Sequence, residues 1–127
     1  MGPAKPKISE LEWEILKALW DNGPMAARDI YALVGDANHW AYKTLKTMLA
    51  RLVKKGALDY QQVGNSYLYR PVFTREELTL TEARSFIGRV FDGALQPFVA
   101  HFAGQISDEE LQVLQQELKR IQRERKR

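Results

Sequence analysis

The chain has no cysteine, so disulfides, thiolate metal sites and cysteine nucleophiles are all excluded. It has two histidines, His39 and His101, far apart in sequence, and no cluster of metal-ligating residue types around either. No metal or other cofactor is expected. No nucleophile stands near a candidate base, and no glycine-rich loop is available to cradle a phosphate, so an enzyme is not expected either. Apolar runs fall far short of the roughly 20 residues a membrane span needs. Residues 1–7, M-G-P-A-K-P-K, lack the apolar core of a secretory signal and read as a flexible N-terminal arm. Gly2 opens no lipidation signal, because Pro6 stands where Ser or Thr is required. These absences suit a protein of the reducing cytoplasm.

What is present is a local imbalance of charge. From Trp40 to Arg70 the chain carries six basic residues (Lys43, Lys46, Arg51, Lys54, Lys55, Arg70) against one acid, Asp59, although the whole chain is only +3. Residues 1–39 lean the other way, with four basic and six acidic groups. A second basic concentration, Lys119 to Arg127, closes the chain, and residues 123–127 read as a basic tail that is either solvated or in contact with a polyanion.

The basic stretch follows a helix-turn-helix rhythm. Ser9 and Glu12 form a capping box that opens a first helix, whose apolar residues Trp13, Leu16, Leu19 and Trp20 recur at helical spacing. Asn22-Gly23-Pro24 ends it. A second helix is expected over residues 26–34, with Ile30, Leu33 and Val34 facing inward, and a third over residues 41–55. At 100° per residue Leu45, Met48, Leu49 and Leu52 share one side of the third helix. Lys43, Thr47, Ala50 and Lys54 occupy the other, flanked by Thr44, Lys46 and Arg51. Taken alone, such a helix is an ordinary amphipathic one with a solvated face. As the third helix of this series it stands where a recognition helix presents Lys and Thr to base edges.

Two strands, residues 58–63 and 67–72, are expected around a turn at Gly64-Asn65-Ser66. This hairpin is a wing, whose tip residues Asn65, Ser66 and Tyr67 would lie over a phosphate or reach the minor groove. The competing reading for Tyr60, Tyr67 and Tyr69 is that they pack the hairpin onto the helices.

The second half is apolar and helical. Thr79 or Thr81 is the expected cap of a helix bearing Phe86, Ile87, Val90 and Phe91; a further segment, residues 94–102, adds Phe98 and Phe102. Ser107 and Glu110 form a second capping box, after which Leu111, Leu114, Leu118 and Ile121 follow the spacing of a helix seam. Such short helices expose too much apolar surface to stand alone. They pack either within the chain or against a second copy, and the second alternative is favoured because the first half already has a core of its own. Dimerisation is therefore assigned to Phe86, Ile87, Val90, Phe98, Phe102, Leu111, Leu114 and Leu118.

Two stretches, I-S-E-L-E-W-E-I-L-K-A-L-W-D-N-G-P (residues 8–24) and K-T-L-K-T-M-L-A-R-L-V-K-K-G (residues 43–56), resemble the BlaI/MecI penicillinase-repressor family, and the likeness extends over about residues 8–118. The resemblance implies a cytoplasmic, dimeric repressor of palindromic double-stranded DNA operators, with Lys43, Thr44, Lys46, Thr47 and Arg51 on the recognition helix. It also implies a membrane sensor-protease as partner and a cut within the dimerisation arm. The matching bond here is His101–Phe102, with His where family members tend to carry Asn. The paired C-x-C motifs of the copper-responsive branch have no counterpart.

The expected architecture is thus mainly α. A winged helix-turn-helix of three helices and a small hairpin occupies residues 8–73, followed by a helical dimerisation arm over residues 74–122. Its expected work is DNA binding through Lys43, Thr44, Lys46, Thr47, Arg51, Lys54, Asn65, Ser66 and Tyr67. The alternative is a winged helix used as a protein-interaction module; its exposed Lys/Thr face lacks the aromatic or apolar hot spots such an interface favours.

Overall fold

A computed structural model describes residues 5–127. The expected N-terminal arm therefore lies partly outside the described residues. Six helices and one hairpin form two compact units, the first running to Ala83 and the second from Arg84 to Arg127.

In the first unit, α1 (Glu10–Asn22) opens on the expected capping box: the Ser9 amide donates to Glu12 Oε1 at 2.9 Å and the Glu12 amide donates to Ser9 Oγ at 3.3 Å. Gly23, at φ +86°, ends it in a conformation that side-chain-bearing residues avoid. α2 (Ala27–Val34) and α3 (Tyr42–Lys54) follow, then β1 (Leu58–Val63) and β2 (Ser66–Pro71), antiparallel and in register from Leu58 opposite Pro71 to Val63 opposite Ser66. The turn is one residue tighter than the composition suggested. Ser66 already pairs, leaving Gly64 and Asn65 as the two-residue loop with Gly64 at φ +63°. Met25 adds an isolated bridge to Tyr69, so the segment between α1 and α2 lies along the wing's second strand.

The core is made by Ile15, Leu16, Leu19, Ile30, Leu45, Leu49, Leu52, Leu58 and Leu78, all fully buried. Each contributes about 1.5–3 kcal/mol through removal of its side chain from water. Trp13 and Trp20, expected on the buried face of α1, pack against this core but are only half-buried, their ring centroids 5.9 Å apart. The Trp20 N–H donates to the Phe73 carbonyl at 3.1 Å, which holds the indole at the rim. Leu33, expected to face inward, is exposed; Ile30 and Val34, four residues apart, define the inner face of α2.

The first unit also reaches past residue 73. α4 (Arg75–Val90) begins five residues earlier than a cap at Thr79 would place it, because Thr74 and Glu77 form a capping box of their own, with the Glu77 amide donating to Thr74 Oγ1 at 3.1 Å. Thr81 does not cap; its hydroxyl donates back to the Glu77 carbonyl. The early start sets Leu78 in the first core, at 2% exposure.

The second unit comprises the end of α4, α5 (Leu95–Gln105) and α6 (Asp108–Arg125). Asp92 and Gly93, both at positive φ, turn the chain between α4 and α5. Pro97 lies in the first turn of α5, where its missing amide has no helical acceptor to satisfy. α6 opens on the Ser107–Glu110 capping box and places acids in its first turn and arginines in its last, the arrangement that the helix dipole favours. It continues to Arg125, so most of the stretch expected as a tail is helical. None of this unit's residues is buried.

Candidate nucleic-acid interface

α3 divides its residues as its periodicity requires. Leu45, Met48, Leu49 and Leu52 are buried, while Lys43, Thr44, Lys46, Thr47, Ala50, Arg51 and Lys54 are exposed. The Thr47 hydroxyl donates to the Lys43 carbonyl at 3.1 Å, which fixes its rotamer and leaves the oxygen lone pairs available.

The six basic residues of the charged stretch are not equivalent. Lys55 donates to Glu12 Oε1 at 2.6 Å and to the Lys7 carbonyl at 2.9 Å, a structural engagement. Arg70 pairs with Asp59 across the hairpin at 2.6 Å. Lys43, Lys46, Arg51 and Lys54 pair with no carboxylate among the described residues. Helix and charge pattern therefore leave four cations on one exposed face of α3.

One of them, Lys46, lines a groove whose other wall is the wing, with Asn65, Ser66 and Tyr67. The groove thus joins residues from the helix and from the hairpin that were singled out separately. Lys43, Thr44, Thr47, Arg51 and Lys54 lie on the exposed helix face and do not line it. It also contains Arg28, Tyr42 and Gln62, which sequence reasoning passed over. Arg28 sits in an acid-leaning segment, and only the folded start of α2 brings it to the wing; its Cζ stands 4.8 Å from the centre of the Tyr42 ring. No carboxylate lines the groove.

The wing's tyrosines divide between the two roles considered for them. Tyr69 is buried, and burial, helped by the neighbouring Tyr42, Tyr60 and Tyr67, raises its phenol pKa. Tyr60 and Tyr67 pack with centroids 4.4 Å apart and planes tilted by 39° but remain 45% and 41% exposed, so they brace the hairpin while still offering surface.

In the second unit, Phe86, Val90, Phe102 and Leu118 are exposed, whereas Ile87, Phe98, Leu111 and Leu114 are half-buried. Phe86, Phe91 and Phe98 form a cluster with centroids about 6 Å apart, joined by Phe102 at 5.8 Å from Phe98. His101 and Phe102 lie inside α5, and the His101 ring is 6.3 Å from that of Phe91. Among the described residues no group of acids and histidines is placed to hold a metal ion, and no helix is long and apolar enough to cross a membrane.

The family model described as penicillinase repressor matches residues 8–120. The penicillinase repressor of Bacillus licheniformis is 32% identical over 113 residues, covering 87% of this chain and 88% of that protein. The methicillin resistance regulatory protein MecI of Staphylococcus aureus (strain N315) is 26% identical over 110 residues, covering 85% of this chain and 89% of its own length. Among solved structures, the DNA-binding domain of the repressor BlaI superposes with a TM-score of 0.54 at 30% identity, over 60% of this chain and 93% of that one. The monomeric B. licheniformis BlaI in complex with the blaP half-operator gives 0.53 at the same identity and coverage. With a match across nearly its whole length, this chain belongs to the penicillinase repressor family, a family of transcriptional repressors and not of enzymes.

Proposed function

We propose that the protein represses transcription as a homodimer, each winged helix reading half of a palindromic operator, with release by cleavage in the dimerisation arm. The observation that carries the DNA-binding part is the set of unpaired cations Lys43, Lys46, Arg51 and Lys54 on one face of α3, with Lys46 meeting the tip of the wing across a carboxylate-free groove. A helix about 10–12 Å across fits the major groove of B-form DNA, which is about 12 Å wide. In that placement Lys43, Thr44 and Thr47, near the start of α3, address base edges. Lys46, Arg51 and Lys54, with Asn65, Ser66 and Tyr67 of the wing, address the sugar-phosphate backbone. The BlaI half-operator complex supports this reading, since it is a structure of a family member on DNA.

Dimerisation is supported by the second unit's lack of any buried residue. Exposed Phe86, Val90, Phe102 and Leu118 form more apolar surface than a free-standing helical unit sustains. Pairing two winged helices raises the effective concentration at the second half-site, and two-fold symmetry in the protein calls for a palindrome in the DNA. For release, the His101–Phe102 bond is the proposed point of cutting by a membrane sensor-protease. It lies within α5, a helix of 11 residues with no buried side chain, and such a helix opens at little cost.

The test is binding to the DNA upstream of the protein's own reading frame against a scrambled duplex, across a salt series. Affinity at least roughly a thousandfold higher for the upstream site, with a steep salt slope on both, is the expected result. Equal binding on both duplexes removes sequence-specific reading of that site. An absence of binding at every salt concentration transfers the exposed helix face to a protein partner.

A further inference from the structure

One cation in the groove belongs neither to the recognition helix nor to the wing. Arg28 stands in the first turn of α2, and its guanidinium lies over the ring of Tyr42, the first residue of α3. That ring is itself held edge-on by Tyr31, with centroids 5.4 Å apart and planes at 86°. The Tyr31 hydroxyl in turn donates to the Trp40 carbonyl at 2.9 Å, just before α3 begins. Arg28 is therefore seated on a platform fixed from two sides. One face of the guanidinium is covered, while its N–H edge makes no ion pair and no hydrogen bond among the described residues, although Asp29 is its neighbour in sequence. Lys46 stands one helical turn beyond Tyr42, and both line the groove with Ser66 and Asn65 of the wing.

We propose that Arg28 is a DNA-backbone contact, gripping a single phosphate between the recognition helix and the wing; this rests on the DNA-binding reading above. Two cations with hydroxyl and amide groups opposite, and no carboxylate among them, suit a phosphodiester. Arginine is the right cation for such a seat. Its planar fork donates two parallel bonds from one edge while its face stays on the tyrosine, and little side-chain freedom remains to be lost on binding.

The test measures the full-length protein, Arg28→Ala and Arg28→Lys on two duplexes, one selected by the protein from a randomised pool and one scrambled. Arg28→Ala is expected to lose roughly tenfold in affinity on both duplexes alike. Its log–log salt slope should fall by about 0.9 per protomer, the share of one phosphate. Arg28→Lys should restore the slope, because the charge remains, but only part of the affinity, because the fork is gone. Three results overturn the assignment. Unchanged affinity and slope would leave Arg28 a surface residue. A lowered melting temperature with an unchanged slope would make it a brace for Tyr42. A loss confined to the selected duplex would make it a base contact. If the wild-type protein binds neither duplex, the DNA-binding reading fails and this assignment falls with it.

Discussion

Lys55, the residue after α3, closes onto Glu12 in the first turn of α1, with Nζ 2.6 Å from Oε1, and the glutamate is 4% exposed. The contact ties the C-terminal end of α3 to the start of the fold, and the same ammonium holds the Lys7 carbonyl. Burial pushes the Glu12 carboxyl up, but the hydrogen bonds from Lys55 and from Ser9, with the lysine's charge, together outweigh it and hold the pKa below the ordinary glutamate value. A carboxyl lowered in the folded state stabilises it fully above the ordinary glutamate pKa of about 4.3, and loses that contribution as pH falls through the folded value. Glu12→Gln should therefore cost about 2 kcal/mol at neutral pH, and the deficit should shrink as the medium is taken toward pH 3. Paired thermal melts at pH 7 and pH 3 check this; a deficit constant across that range would remove the ionised carboxylate from the explanation.

The same contact separates Lys55 from the other basic residues of its stretch. Lys55→Ala leaves Glu12 buried without its cation, and because the lysine is about a third exposed the cost should be about 1–2 kcal/mol rather than that of a fully buried pair. Arg51→Ala, on the open face, should leave stability within about 0.5 kcal/mol. On DNA the pattern should invert, with Arg51→Ala lowering the salt slope by about 0.9 per protomer and Lys55→Ala leaving it unchanged. Thermal melts and salt titrations of both variants on one duplex decide it, and equal slope losses would place Lys55 on the DNA after all.

Much of this arrangement was legible from residues near each other in sequence. The period of α3, both capping boxes built on serine, and the Gly64 turn follow from contacts within a few positions, so Leu45, Leu49 and Leu52 were placed correctly in the core. What was missed depends on contacts between distant segments. The charge count could not separate Lys55 from Lys54, because Glu12 lies 43 positions away. Arg28 reaches the groove only once α2 is folded beside the wing, and Trp20 is held at the rim by a carbonyl 53 positions on. The cap of α4 is a different case. Thr74-Arg75-Glu76-Glu77 carried the capping-box pattern openly, and Thr79 and Thr81 competed with it only because they stand closer to the apolar run.

The turn between α2 and α3 also depends on a residue with no side chain. Gly35 is buried at the end of α2 with φ −67°, an ordinary helical conformation, so its need is spatial. A Cβ there would clash with the Cδ1–Cε1 edge of the Tyr31 ring and stand 2.7 Å from the Tyr31 carbonyl oxygen, and the hydroxyl of that ring holds the Trp40 carbonyl. Gly35→Ala should force that ring aside and destabilise the winged helix by about 1–3 kcal/mol, the usual cost of overpacking. Gly35→Ala combined with Tyr31→Leu, which removes the obstructing ring, should recover part of the loss. Chemical denaturation of the single and double variants measures the coupling; additive losses would show that the clash is not the cause.

The second unit gives the sharpest separation of assembly from folding. Leu118 lies on α6 with 52% of its surface open, so an aspartate there meets water within a single chain and should leave the chain's own packing intact. In a dimer whose seam runs along Leu111, Leu114 and Leu118, that aspartate is buried without a cation, at a cost of several kcal/mol per copy. If the proposed dimer forms, Leu118→Asp should therefore sediment as a monomer at concentrations where the wild type sediments as a dimer, with an unchanged melting transition for the winged helix. On DNA it should keep the affinity of one half-site but lose the gain from linking two, a factor of roughly a hundred or more. Sedimentation velocity together with titration on full and half sites tests both consequences. A variant that remains dimeric would remove α6 from the seam, and one that unfolds altogether would show that α6 is part of the chain's own core.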